Sequence, residues 1–286
     1  MQKALEQTIT DQYITSYGNL QQYLLALEID SFLQNEDQVL QRLTRAATFK
    51  QTDYLTFKVA LQGQRLAVQK ARALYQNDIG TLNYLCGIDD SSWTVLKEPL
   101  IADSALTPFE NTPYFRGSKL DSIKNSSDAK IIKLNYKPKI SIFADGGYQS
   151  SLISQAYKNI GTSIGLTLTL PLYDGHQRRL SLLQNKLLEN TRKGYTDYYH
   201  KQYNQQIIQL TQQLDQYESI INEGARQLIY AQTLVQANKK QLTTGDIRMT
   251  DYLLSINNYL NLRSAVIQNQ MIRLSILNQL HHIILK

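Results

Sequence analysis

Few side chains in this sequence are spaced for chemistry. Its 286 residues include one cysteine, Cys86, and four histidines. His176 and His200 stand alone and His281-His282 has no further ligand at a useful interval, so the imidazoles are expected on the solvated surface rather than on a metal. Gly161-x-x-x-Gly165 lacks the Lys-Ser/Thr of a phosphate loop and falls in an alternating run, where glycine marks close packing or a face turned to a lumen. Cys86 has no C-x-x-C partner and is expected as a small buried apolar residue. What remains is a pair of carboxylates, Asp53 in QTDYL (51–55) and Asp251 in MTDYL (249–253). Each follows a threonine at the start of a helical pattern, where acid complements the orphan amides and the helix dipole. Arg45 and Arg248 lie close by in sequence as counter-charges. This chemistry is electrostatic, so neither an enzyme nor a cofactor nor a metal is expected.

The two pentads belong to a longer repeat. Twelve residues beyond each Asp stands Arg-x-Ala-Val, as Arg65 to Val68 and Arg263 to Val266. Each copy follows a long helical pattern and a short polar break (TRAATFK, TTGDIR), and leads into another helical stretch. The unit reads as a long helical hairpin used twice.

Spacing alone defines the longest helix. Ile207, Leu214, Ile221, Leu228, Val235 and Leu242 recur every seven residues, with Tyr203, Leu210, Tyr217 and Ala231 at the companion position, which is a coiled-coil seam. No proline interrupts the chain from His176 to Thr243, and about 68 residues at 1.5 Å each would run roughly 100 Å. Leu253, Leu260, Ile267 and Leu274 keep the interval on the return helix.

Between the hairpins the texture changes. Asp89 to Thr112, with Pro99 and Pro108, reads as an irregular connector. A shorter helix is expected over about Pro113–Tyr136, with proline in its first turn. Two strands follow, KPKISIFADGGY (137–148) and GTSIGLTLTLPLYDG (161–175), with QSSLISQAYKN between them, so a β-hairpin is expected. In the second strand Ile160, Thr162, Ile164, Leu166, Leu168 and Leu170 share one parity; Gly161, Ser163, Gly165, Thr167 and Thr169 share the other. In the first, Ile140, Ile142, Ala144 and Tyr148 share a parity.

Composition narrows the partners. With 30 Lys+Arg against 24 Asp+Glu the net charge is +6, yet the basic residues are scattered, and nucleic acid is not the expected partner. No stretch reaches the roughly 18 consecutive apolar residues of a membrane helix. MQKALEQTITDQYITSYG has no apolar core of a secretory signal, which leaves a cytoplasmic chain or a start upstream of Met1.

The order of short helix, β-hairpin, PLYDG, very long helix, tip at TTGDIRMTDYL and return helix resembles the TolC-type outer-membrane efflux proteins. The matching residues are Pro138 at the first strand, Pro171-Leu172-Tyr173-Asp174-Gly175 with Arg178 at the strand-to-helix junction, Gly245 at the tip and Asp251 on the return helix. The resemblance implies a mainly α fold: long antiparallel coiled-coil hairpins forming an α-barrel, and a β-hairpin contributing to a trimeric transmembrane β-barrel. It divides the chain into a truncated first repeat (1–87), an equatorial connector (88–112) and a second repeat (113–286) with its β-hairpin at about 138–171 and its helical hairpin at 175–286. Relatives carry a further helix and β-hairpin ahead of the first descending helix, so the resemblance also implies a fragment or an upstream start.

The implied role is a passive export duct of the bacterial outer membrane with helices reaching into the periplasm. It would be a homotrimer, fed by an inner-membrane pump through a periplasmic adaptor. Ile160, Ile164, Leu166, Leu168 and Leu170 would face outer-membrane lipid, as spanning strands of about ten residues require. Pro171, Asp174 and Gly175 would end the ladder and turn the chain into the helix. Asp53 and Asp251 would form carboxylate rings at the periplasmic entrance, balanced by Arg45 and Arg248. The tips, Ala46, Ala47 and Thr48 with Thr243, Thr244, Gly245 and Asp246, would meet the adaptor. Relatives often carry a second acid one turn on, where this chain has Leu254. The alternatives are a periplasmic coiled-coil adaptor or scaffold with no channel, and a cytoplasmic coiled-coil protein. Adaptors usually insert one hairpin into a compact β domain, and a cytoplasmic protein would leave the alternation of 160–170 unexplained.

Overall fold

The structure, a computed structural model, describes residues 2–45, 49–90, 92–101, 108–148 and 160–285. In chain order it contains α1 (Gln2–Arg45), α2 (Gln51–Cys86), a single 3₁₀ turn (Phe109–Asn111), α3 (Pro113–Asn135), β1 (Lys139–Tyr148), β2 (Ile160–Thr169), α4 (Gln177–Thr244) and α5 (Met249–Leu285). The described residues therefore form long helical hairpins and one antiparallel strand pair, the fold class expected. It divides into two compact units, one made of Met1–Thr107 with Asn204–Lys286, the other of Pro108–Tyr203.

In the first unit α1 and α2 form one hairpin, and α5 packs on α1. The core joins Leu25, Ile29, Leu33 and Leu40 of α1, Phe57 and Leu61 of α2, Leu242 of α4, and Met249, Tyr252, Ile256 and Tyr259 of α5. Leu228, Ala231 and Val235 pack on its edge together with Leu253, Leu260 and Ile267. These are heptad positions, and seven-residue spacing is what keeps them on one stripe along a helix. Each buried Leu or Ile contributes about 1.5–3 kcal/mol. Glycines mark two close approaches: a Cβ on Gly18 would lie 2.7 Å from Met271 Cγ, and one on Gly224 would lie 2.7 Å from Val266 Cγ2.

Two expectations fail in this unit. Cys86 is exposed. It is the last residue of α2, where Gly87 at φ 69° and the bonds Gly87 N to Tyr84 O and Ile88 N to Asn83 O turn the chain away from the helix. His282 is not on the solvated surface but buried, with Nδ1 3.0 Å from Asn278 O. The reason is a second contact stripe on α5, turned to α1, where buried Asn278 donates to Asp11 Oδ1 at 2.8 Å.

The connector after α2 lacks regular structure over 88–90 and 92–101 but is anchored. Trp93 meets Tyr23 and Tyr75 edge-on at 5.3 and 4.9 Å. The Tyr75 hydroxyl donates to Thr94 O, and Tyr13 donates to Lys97 O at 2.8 Å.

Near the start of the second unit lies buried Phe109, whose ring stacks on His200 at 4.7 Å. Thr112 caps α3, its Oγ1 accepting from Phe115 N at 3.3 Å with Pro113 following. β1 and β2 pair antiparallel from Lys139↔Thr169 to Tyr148↔Ile160. The expected connection QSSLISQAYKN lies outside the described residues.

Candidate functional site

The β-hairpin sorts its side chains by parity, and the register makes the sorting common to both strands. Ile140 lies opposite Leu168, Ile142 opposite Leu166 and Ala144 opposite Ile164, so one face is a continuous apolar sheet. The alternating positions, Ser141, Phe143 and Asp145 against Thr167, Gly165 and Ser163, form the other face. Among the described residues nothing covers the apolar face: the five positions expected to meet lipid run from 50% exposed at Leu170 to 83% at Ile164. Phe143 is the one aromatic side chain among the described residues of the small, polar face. No helix among the described residues is long and apolar enough to cross a membrane.

The hairpin is fixed to α4 at the junction. Pro171 follows β2 outside the ladder, and Gly175 and His176 both take positive φ, 59° and 67°. Asp174 captures the helix start with both carboxylate oxygens, accepting from His176 N at 3.0 Å and Arg178 N at 2.7 Å. The Arg178 amide bond, followed by the Tyr136 hydroxyl, holds the Asp174 carboxyl below its ordinary range. Arg178 also lies 5.9 Å from the Tyr136 ring centroid.

At the tip between α4 and α5, Gly245 takes φ 82°, its amide donates to Leu242 O and Asp246 N donates to Gln241 O, a Schellman end. Thr244 Oγ1 donates to Asp246 Oδ2 at 2.5 Å and Thr243 Oγ1 to Lys240 O at 2.6 Å. One turn on, Arg248 Nε and Nη2 each reach an oxygen of Asp251 at 3.2 Å, a two-pronged pair between the residue preceding α5 and the first turn of that helix. Asp53 holds the matching place in the first turn of α2. Arg45 closes α1; neither it nor Asp53 takes part in an ion pair among the described residues. Ala46, Ala47 and Thr48 lie outside the described residues.

Two polar clusters fall outside the heptad and strand periods of the sequence. Glu189 of α4 accepts from Arg192 Nη2 at 2.7 Å, and from Ser122 and Asn125 of α3 at 3.1 Å each, while Arg192 Nη1 donates to Ser118 Oγ at 2.6 Å. The Arg192 bond above all, then those of Asn125 and Ser122, lowers the Glu189 carboxyl to about 2. Ser118, Ser122 and Asn125 at i, i+4 and i+7 were the available signal, a polar stripe on one helix face. The other cluster, Glu36 with Lys239 and Phe32, joins residues from opposite ends of the chain and has no local signal.

Neither a family model nor a curated protein matches the sequence. Solved structures do match. A membrane protein from Pseudomonas aeruginosa superposes with a TM-score of 0.80 at 17% identity, over 99% of this chain and 66% of that one. The outer membrane protein VceC from Vibrio cholerae gives 0.79 at 14%, over 98% and 70%. The outer membrane channel MtrE of Neisseria gonorrhoeae, in its open state, gives 0.73 at 12%, over 99% and 66%. This chain has the fold of the TolC-type outer-membrane channels. It spans about two thirds of the length of those it matches. The channel fold gives the uncovered apolar face of the hairpin, the capped junction and the long seam of α4 one common setting.

Proposed function

We propose that the protein is the outer-membrane duct of a tripartite export system. Three copies would close a β-barrel from their hairpins and an α-barrel from their helices. The observation that carries this reading is the β-hairpin with its uncovered apolar face. Ten-residue strands are long enough to span a bilayer, and only a closed barrel satisfies their backbone there. Transport would be passive, with substrates handed over by an inner-membrane pump through a periplasmic adaptor.

Within this reading Asp251 and Asp53 line the periplasmic entrance, with Arg248 tempering the first of them. Thr243, Thr244, Gly245 and Asp246, with the 46–48 stretch of the other hairpin, meet the adaptor. The test is expression of the full-length protein, membrane fractionation, and reconstitution into planar bilayers. A heat-resistant trimer from the outer membrane with stepwise conductance is expected. A soluble periplasmic coiled coil without conductance overturns the reading in favour of an adaptor or scaffold.

A further inference from the structure

The face of the β-hairpin opposite the apolar sheet carries more than small polar groups. Phe143 stands on it, and its cross-strand partner is Gly165. A Cβ at Gly165 would lie 2.6 Å from Phe143 Cε1, so the ring lies over the glycine and only a residue without a side chain leaves it room. Such a ring-on-glycine pair fixes an aromatic flat against a sheet. The ring still keeps 43% of its surface exposed, on the side away from the strands.

Two residues further on, about 7 Å along the strand, Asp145 projects from the same face. It lies opposite Ser163, whose Oγ donates to Asp145 Oδ2 at a long 3.4 Å. The next rung is Gly147 opposite Gly161, and among the described residues nothing lies within 4 Å of a Cβ on either, so the strands themselves leave the carboxylate open on that side. Among the described residues of the two strands the one cation of this face is Lys139, at the far end of β1, where Nζ donates to Asn135 Oδ1 at 3.4 Å. A fixed ring beside an open carboxylate is the pairing that an organic cation with an apolar or aromatic body satisfies at both ends, ammonium to Asp145 and body to Phe143.

We propose that Phe143 and Asp145 form a contact site in the barrel lumen for organic cations with an apolar body, and favour them over anions of the same shape. The site rests on the duct reading, because that reading turns this face towards the lumen. It makes the β-barrel a selective element in its own right, separate from the helical tips.

The test is block of single-channel current by benzyltrimethylammonium, with benzenesulfonate as the anionic control, on the full-length protein in planar bilayers. Wild type is expected to be blocked by the cation at lower concentration than by the anion. Phe143→Leu keeps an apolar side chain but removes the ring; it should weaken cation block about two- to fivefold, the size of an exposed cation–π contact. Phe143→Tyr should keep the block, and Asp145→Asn should weaken it by a similar factor. Heat-resistant trimers and unitary conductance report assembly for every variant. Unchanged cation block in both Phe143→Leu and Asp145→Asn overturns the site while leaving the duct standing. A wild-type protein that forms no conducting trimer overturns the duct reading itself, and the site with it.

Discussion

Lys239 Nζ lies 2.5 Å from Glu36 Oε1, tying α4 of the second hairpin to α1 of the first. Glu36 is 5% exposed, and the same ammonium sits 5.5 Å from the Phe32 ring centroid. A carboxylate this far out of water holds its charge at a desolvation cost that the ammonium offsets. The pair therefore acts less as surplus stability than as a register mark between the hairpins.

Removal of the lysine should be worse than removal of both charges. Lys239→Met leaves Glu36 charged without its counter-ion and should destabilise the protein by about 1–2 kcal/mol, a buried-pair penalty reduced because Lys239 is half exposed. Lys239→Met with Glu36→Gln should recover most of that loss. Urea unfolding of the two single variants and the double variant measures the coupling. Additive losses would mean that the pair does not couple the hairpins.

The approach of α4 to α5 makes a second prediction. Gly224→Ala gains about 1 kcal/mol of helix propensity but drives a methyl to 2.7 Å from Val266 Cγ2. Val266 is β-branched with a stiff χ1 and cannot swing away as Met271 can beside Gly18. Gly224→Ala should lower the thermal midpoint, and adding Val266→Ala should restore it. Gly18→Ala should cost less. A Gly224→Ala protein as stable as wild type would show that the helices part freely there.

The register of the β-hairpin and the seam of α4 were legible in the sequence because each has its own period. A one-residue slip would set Ile142 opposite Gly165 and Phe143 opposite Ile164, mixing apolar with small and polar residues on both faces, so the alternation disfavours it. Heptad spacing placed Leu228, Val235 and Leu242 against the core in the same way. Long-range meetings were not legible. Nothing local signals that α1 lies against α5, so Asn278 with Asp11, Gly18 with Met271 and buried His282 emerge only from the packed helices. Cys86 misled because residue type suggests burial while its place at a helix end decides exposure. Among the site residues, Asp251 with Arg248 was legible from neighbouring positions, whereas Phe143 went unnoticed because its role depends on the glycine across the ladder.

Acid should loosen α3 from α4 before it affects the helical hairpins. Glu189 has its carboxyl lowered from 4.5 to about 2 by Arg192, Asn125 and Ser122. A lowered folded-state value means stability that is fully present above pH 4.5 and lost as pH falls towards 2. Protection against hydrogen exchange across 113–135, taken relative to the intrinsic rate at each pH, should therefore fall between about pH 5 and 2.5 more than protection across 51–86. In Glu189→Gln the 113–135 segment should exchange faster at neutral pH and lose this acid step. An acid step of equal size in wild type and variant would assign the effect to other carboxylates.

The pair of Arg248 with Asp251 sets the charge at the second tip, and its removal should act in opposite directions according to the partner removed. Asp251 is engaged by both guanidinium prongs at 3.2 Å, yet Arg248 remains 82% exposed, so the pair is screened and adds little to stability. If three copies bring their tips together, Arg248→Ala exposes three carboxylates to one another and to passing cations, whereas Asp251→Asn leaves three guanidinium groups. Block of bilayer conductance by a multivalent cation added from the periplasmic side should therefore strengthen in Arg248→Ala and weaken several-fold in Asp251→Asn. Neither variant should shift the thermal midpoint appreciably, which separates an effect on permeation from one on folding. Equal block in both variants and the wild type would remove Asp251 from the conduction path and leave it as a first-turn residue of α5 that complements the helix dipole.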